Sequence, residues 1–354
     1  MKKTILITGG AGFVGSSLAL YIQKKWQGCR VICLDNFKRL GSSLNAKRLK
    51  DYGILCIRAD IRNKKKLFSL PKIDMLVECS AEPSVLAAYQ DPRYTVETNL
   101  FGTVNCLELA RRDKAKFIFL SSSRIYPIDP INRIPSEELS TRYDWKKTTQ
   151  GVGYSYQGIS EQFPLSGVRS LYGSTKLCSE HIAQEYFDMF HIKGVINRLG
   201  VIAGPWQMGR VDQGIVGFWV AQHKFNGKLT FIGYGGTGKQ LRDAVHIDDV
   251  CELIFYQIQN LRQVQGKVFN AGGGRKNTFS LSELTQIVRE ITKVKIPITK
   301  LAAARKSDLR IYITDNSYVQ RQTGWQPKKN LVTIITDINK WVDTHKQNLM
   351  PFLI

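Results

Sequence analysis

Tyr172 and Lys176 bracket the stretch Tyr172-Gly173-Ser174-Thr175-Lys176. At helical spacing this puts a phenol and an ammonium on one face, a turn apart. A neighbouring ammonium lowers a phenol's pKa, so that a tyrosinate can serve as a general base. Such pairs arise by chance on many helices. The run Ser121-Ser122-Ser123 strengthens the reading. It ends a predicted strand, where α/β proteins bind their ligands, and a hydroxyl there can hydrogen-bond a reacting oxygen.

The second constellation is Thr8-Gly9-Gly10-Ala11-Gly12-Phe13-Val14-Gly15, directly after an apolar run and directly before a helical pattern. Glycines at 9, 12 and 15 allow a tight turn and a close approach of backbone to a pyrophosphate. The helix that follows offers unpaired N–H groups and the positive end of its dipole. Asp35 lies twenty residues beyond Gly15, at the end of the second predicted strand. Its carboxylate suits the ribose hydroxyls of NAD and repels the 2′-phosphate of NADP. Asp60-Ile61 ends the third predicted strand and is placed to meet an adenine; alternatively, Asp60 caps the next helix.

These groups need a scaffold that brings strand ends together. Short β-branched runs at Thr4–Thr8, Arg30–Leu34, Leu55–Arg58, Met75–Glu78, Lys116–Leu120 and Gly194–Arg198 alternate with helical patterns. That alternation predicts a Rossmann-type, doubly wound α/β fold around a parallel sheet. Cys178, Ile182, Tyr186 and Phe190 recur every four residues and predict an amphipathic helix over 172–192, and a second helix is predicted over 96–112. Residues 127–170 show no sustained period and read as a long irregular excursion. The expected division is a dinucleotide-binding domain over 1–198 and a smaller substrate lobe over 199–354, with a segment near 240–273 returning to the first.

The chain of 354 residues carries a net charge of +22. Its basic residues fall in short separated clusters without a basic tail or a recognisable nucleic-acid module, so no nucleic-acid partner is expected. A positive field does favour capture of a dianionic substrate. No run approaches the roughly 20 apolar residues of a membrane span. The seven cysteines show no metal-ligand spacing and read as reduced thiols of a cytoplasmic protein; no metal site is expected. His246 reads as a structural hydrogen-bonding residue rather than a base.

Taken together, the residues resemble the extended short-chain dehydrogenase/reductase family of NAD-dependent sugar epimerases and dehydratases. The resemblance spans nearly the whole chain. It rests on the glycine turn, Asp35-Asn36, Asp60, Asn99-Leu-Phe-Gly102-Thr103, the serine run before Tyr126, Tyr172/Lys176 and Gly204-Pro205. Arg242-Asp243-Ala-Val-His246-Ile-Asp248-Asp249, Phe269-Asn270-Ala-Gly272-Gly273 and Gly324-Trp325-Gln-Pro327 complete it. It implies NAD as cofactor, a nucleotide-diphosphate sugar as substrate and a homodimer built on the two long helices. The catalytic set it implies is Ser122 (Ser123 as fallback), Tyr172 and Lys176. For the cofactor it implies Gly9, Gly12, Phe13, Val14, Gly15, Asp35, Asn36, Asp60, Ile61, Asn99, Tyr172 and Lys176.

Within the family, Val211-Asp212-Gln213-Gly214, Gly238-Lys-Gln240-Leu-Arg242-Asp243 and Arg305-Lys-Ser-Asp308-Leu-Arg310 resemble the subgroup of CDP-paratose 2-epimerases. That resemblance implies transient oxidation of the sugar to a ketone. Arg242, Arg305 and Arg310 would grip the diphosphate, with Ser123, Gln213 and Gln240 as further substrate contacts; the alternative for each arginine is a surface ion pair. A 4-epimerase or 4,6-dehydratase, or a non-catalytic NAD-binding sensor, are the rival readings. Two positions depart from the usual pattern: Glu78 stands where many members carry a histidine, and Ala203 where a tyrosine often precedes Gly-Pro.

Overall fold

The computed structural model describes residues 2–304 and 307–353. Seven strands form the central sheet: β1 (Lys3–Thr8), β2 (Cys29–Asp35), β3 (Leu55–Arg58), β4 (Met75–Glu78), β5 (Lys116–Ser122), β6 (Gly194–Leu199) and β7 (Val268–Ala271). Their order is β7-β6-β5-β4-β1-β2-β3, and the pairings among the first five strands are parallel. The predicted strands are thus all present, within two residues at each end. Chain order reverses direction at β1, where β2 lies on one side and β4 on the other. In such sheets the crevice at the carboxyl ends of the strands is where ligands bind.

Helices α1 (Phe13–Lys25), α2 (Gly102–Asp113) and α3 (Leu171–Met189) cover this sheet. Leu107, Leu109 and Ala110 of α2 pack with Phe117, Phe119 and Ile196 of the strands and Ala183 of α3 in one fully buried cluster. The helix predicted over 96–112 is not uniform. Pro92–Val96 is α-helical, Glu97–Phe101 is a π turn, and α2 continues from Gly102. A single π turn within a helix is a local distortion that is frequent at functional sites.

The chain divides into two compact units: 1–125, 171–198 and 251–269 make the first, and 126–170, 199–250 and 270–354 the second. Residues 126–170 were expected with the first domain, and their contacts correct that. The excursion forms short hairpins whose backbone joins the second unit: Ile159 bridges Thr314, Tyr143 N–H donates to the Lys239 carbonyl, and Asn132 donates to Asp308 O. Tyr126 anchors it by donating to Asn270 Oδ1 at 2.8 Å. Within the second unit, three helices (Ile215–Lys224, Leu281–Thr292 and Leu331–Thr344) pack together, and the Trp219 indole N–H donates to Thr285 Oγ1. No helix among the described residues is long and apolar enough to cross a membrane.

One buried ion pair locks α3 to the sheet of the first unit. Glu180 takes two N–H donors of Arg198, its Oε2 lying 2.8 Å from the terminal guanidinium nitrogen, and it also accepts from Ser121 Oγ. Both partners are almost fully buried. Arg198→Met leaves the carboxylate buried without its guanidinium and is expected to destabilise the protein by about 3–5 kcal/mol. The shift of the urea unfolding midpoint measures it.

Candidate active site

The glycine turn, Asp35, Asp60 and Ser122 stand at the carboxyl ends of sheet strands, and Asn99, Tyr172 and Lys176 stand on helices. After β1, Gly9 adopts a φ of +64°. A Cβ there would come within 2.8 Å of the Cys79 backbone, and one on Gly15 would run into the Gly9 carbonyl oxygen. The turn is therefore as tight as the spacing predicts. Gly12 caps α1 without any side-chain hydrogen bond, which leaves the first N–H groups of that helix, at Phe13, Val14 and Gly15, without a side-chain cap, as donors suited to an anion.

Asp35 closes the same turn. Its Oδ2 accepts from Ala11 N–H at 3.0 Å and its Oδ1 from Phe37 N–H at 2.8 Å. Burial raises its pKa while these bonds oppose the rise. Bare main-chain donors beside a fixed carboxylate are what a pyrophosphate joined to a ribose diol requires, so these residues fit NAD.

Asp60 is more committed than expected. Arg62 grips both of its oxygens at 3.0 Å and Asn36 Nδ2 donates to Oδ2 at 3.0 Å, and these bonds hold its pKa down against burial. Nor does Asp60 cap the following helix: Asn63 does, accepting from Lys66 N–H. Ile61 is buried beside it. Asn99 lies in the π turn, fully buried, with its amide donating to Glu82 O and Thr175 Oγ1 and accepting from Glu82 N–H. It joins the loop after β4 to α3, and its donors are spent on the protein itself.

Ser122 ends β5, its Oγ accepts from Arg124 N–H at 3.2 Å, and its hydroxyl acts on the Tyr172 phenol to lower that phenol's pKa. Ser123 opens a short 3₁₀ turn. Lys176 sits one turn along α3, with only 2% of its surface exposed. Its ammonium donates to the Leu120 carbonyl at 2.9 Å and lies 4.5 Å from the centre of the Phe119 ring. This corrects the simplest electrostatic expectation. Burial raises the Tyr172 pKa, and what opposes it is the Ser122 bond together with the charges of Arg124 and Arg39. Lys176 is turned toward the sheet, and its own pKa is lowered by burial.

The candidate substrate residues belong to the second unit. Arg242 is held by Asp308 Oδ1 at 2.8 Å and by Leu309 O at 2.6 Å, so the ion-pair alternative describes its present state. Arg310 is less committed: its guanidinium lies 5.6 Å from the rings of both Tyr143 and Tyr234, and its buried Nε has no hydrogen-bond partner. Gln240 donates to Ile232 O at 2.6 Å, while its carbonyl oxygen and that of Gln213 are buried without partners. Arg305 lies outside the described residues. His246 Nδ1 accepts from Asp248 N–H at 3.0 Å, and burial lowers its pKa to about 4, so it is a neutral acceptor at the start of a helix.

Sequence reasoning passed over Tyr143 and Tyr234, which sit far apart in the chain with no periodic signal. It also passed over Glu78, whose only signal was the departure from histidine. Among the described residues, no cluster of three His, Cys, Asp or Glu side chains is arranged to hold a metal ion.

The glycine turn carries a direct prediction. Gly15→Ala places a methyl against the Gly9 carbonyl and is expected to weaken NAD binding by at least about tenfold, roughly the 1.4 kcal/mol of one lost backbone contact. Isothermal titration with NAD measures the loss, with circular dichroism as the control for folding.

Known proteins are similar to this chain over nearly its whole length. CDP-paratose 2-epimerase of Salmonella typhi is 28% identical over 349 residues, covering 96% of this chain and 99% of that one. UDP-glucuronate 4-epimerase 4 of Arabidopsis thaliana is 26% identical, covering 96% of this chain and 75% of its own length. The solved structure of UDP-glucuronic acid 4-epimerase from Bacillus cereus, in complex with UDP-glucuronic acid and NAD, is 25% identical. It superposes with a TM-score of 0.79 over 96% of this chain and 99% of that one. Residues 5–272 match the family described as NAD dependent epimerase/dehydratase, so the chain is an enzyme belonging to that family.

Proposed function

We propose that the protein epimerises a nucleotide-diphosphate sugar, with inversion at carbon 2 of a CDP-linked dideoxyhexose as the preferred assignment. The observation that carries the reading is the placement of Ser122 at the carboxyl end of β5, and of Tyr172 and Lys176 on α3, in the unit that holds the glycine turn. Bound NAD supplies a hydride acceptor that gives the hydride back, so the sugar passes through a ketone with no net redox change. Ser122 orients the sugar hydroxyl, and the Tyr172 phenolate takes its proton. Burial alone would keep that phenol protonated; the Ser122 bond and the charges of Arg124 and Arg39 act against burial. Lys176 is held rigidly by Leu120 O, ready to donate to the cofactor's ribose. When the ketone is reduced, Tyr172 returns the proton.

The choice of carbon 2 and CDP is supported by the near full-length similarity to the Salmonella typhi protein, together with the motifs around Gln213, Gln240 and Arg310. Arg310, flanked by two tyrosine rings, is the favoured diphosphate or nucleotide contact. Inversion at carbon 4 of a UDP-sugar is the second reading, supported by the similarity to UDP-glucuronate 4-epimerases. A homodimer through the helical faces around Phe101 and Phe190 belongs to the same proposal; both side chains are exposed.

The test is an NMR assay in deuterated water, with NAD and a panel of CDP-, UDP-, dTDP- and GDP-sugars. A new epimer without deuterium incorporation is expected, and its identity names the carbon. Deuterium entering the sugar with loss of water would instead establish a dehydratase. Tyr172→Phe is expected to lower kcat by about 10²–10⁴-fold with NAD affinity kept; undiminished turnover would overturn the role given to Tyr172.

A further inference from the structure

In the central sheet β2 and β4 flank β1, and the loops that follow them both touch the glycine turn. The Cys79 backbone, just past β4, packs against Gly9, and Asp35, at the end of β2, accepts from Ala11 N–H. Farther along the same two loops the chain meets again: Arg39 Nη1 lies 3.8 Å from Glu82 Oε1. That ion pair closes a ring of contacts around the carboxyl end of β1. A second tie sits one residue away. Lys38 Nζ lies 3.1 Å from the centre of the Tyr94 ring, on the helix over Pro92–Val96 that follows the β4 loop. Asn36 Nδ2 reaches the Tyr94 hydroxyl at 3.5 Å. The loop after β2 is thus fastened, by neighbouring residues, to two points of the segment after β4.

The two halves of this closure are built differently. Glu82 is fixed: its N–H donates to Asn99 Oδ1 at 2.7 Å, its carbonyl accepts from Asn99 Nδ2 at 3.1 Å, and its carboxylate accepts from Ser84 N–H. The other half, residues 36–41, contains no strand or helix. Lys38 and Arg39 stand there between Phe37 and Gly41, which adopt left-handed φ angles of +60° and +85°. A few loop residues of this kind can absorb the backbone rotation of a hinge. Arg39 is about one-third exposed, and partly exposed ion pairs and cation–π contacts each contribute little. Weak ties suit a closure that must hold and still open. The pair also stands near the catalytic phenol: burial raises the Tyr172 pKa, while Arg39 opposes the rise and Glu82 adds to it.

We propose that the loop over 36–41 is a gate on the cofactor crevice: Arg39 latched to Glu82, and Lys38 to Tyr94, hold NAD in place and limit its exchange with solution. A reaction that borrows a hydride must keep the carrier until the hydride is returned, since losing it at the ketone stage strands the intermediate. That advantage rests on the transient oxidation proposed above. The gate itself concerns the cofactor alone.

Its test therefore needs no sugar and stands even if the sugar assignment fails. The enzyme is loaded with NADH, and release is followed in a stopped-flow instrument as the fluorescence of bound NADH is lost to an excess of NAD. The association rate and Kd for NADH are measured alongside. The variants are Arg39→Gln, Glu82→Gln, the two combined, and Lys38→Gln. Glu82→Gln removes the charge but keeps an acceptor for Ser84 N–H. Circular dichroism controls for folding.

Each single variant is expected to release NADH about threefold to fivefold faster, as fits the loss of one partly exposed contact. Association is expected to quicken as well, because a gate obstructs passage in both directions, so Kd changes less than the release rate. The Arg39→Gln, Glu82→Gln double variant is expected to release NADH no faster than either single variant, since all three lack the same ion pair. Unchanged release rates overturn the gate, as do Arg39 and Glu82 effects that multiply in the double variant. A Kd that rises in full proportion to the release rate, with association unmoved, also overturns it and makes these side chains direct cofactor contacts.

Discussion

The interaction on which the site depends is the burial of one ammonium. Removing the Lys176 charge from water costs several kcal/mol unless other groups offset it. The fold offsets it with a main-chain carbonyl at the end of β5, an aromatic face and the carboxyl of Glu78. Each of these needs β4 and β5 in their observed register and α3 pressed against the sheet. The Glu180–Arg198 pair secures that helix one turn beyond Lys176. Tyr172 is carried on the same rigid helix, so the reach of its phenol to Ser122 follows from how the lysine is held.

The turn after β1 obeys a different constraint, the absence of side chains. Gly9 and Gly15 let two stretches of backbone touch, and the first N–H groups of α1 follow this turn without a side-chain cap. Asp35 then uses both oxygens to fix the turn it closes. Together these features put an anion site and a ribose acceptor on one strand edge without any flexible side chain. The precision of the cofactor position is thus a property of the backbone.

Much of this was legible in the sequence because parallel strands and glycine turns have short-range signatures. The six predicted strands, the glycine turn and the helix bearing Tyr172 and Lys176 stand where periodicity placed them. The π turn around Asn99 left no trace, since its residues are ordinary helix formers and the distortion arises from tertiary bonds to Glu82 and Thr175. The excursion over 126–170 was assigned to the wrong unit because sequence proximity to β5 says nothing of pairing with Thr314 or Lys239. Lysine at four-residue spacing from tyrosine predicted a charge acting on the phenol. The direction the ammonium takes was set by Leu120 and Phe119, which no spacing rule encodes.

The same distinction separates reaction class from substrate. Proton transfer depends on a few groups fixed by regular elements, and such groups announce themselves by type and spacing. Recognition of the nucleotide depends on long side chains whose state is decided by distant partners. Arg242 and Arg310 are the same residue type on neighbouring stretches of one unit. Yet Asp308 engages the first, while two tyrosine rings flank the second and leave its Nε without a partner. A guanidinium held by a carboxylate must give up a charge-assisted bond before it can take a phosphate, whereas Arg310 has to release a neutral 3.4 Å bond to Ser136 Oγ. On that physical ground Arg310, rather than Arg242, is the favoured diphosphate contact in the proposed reaction.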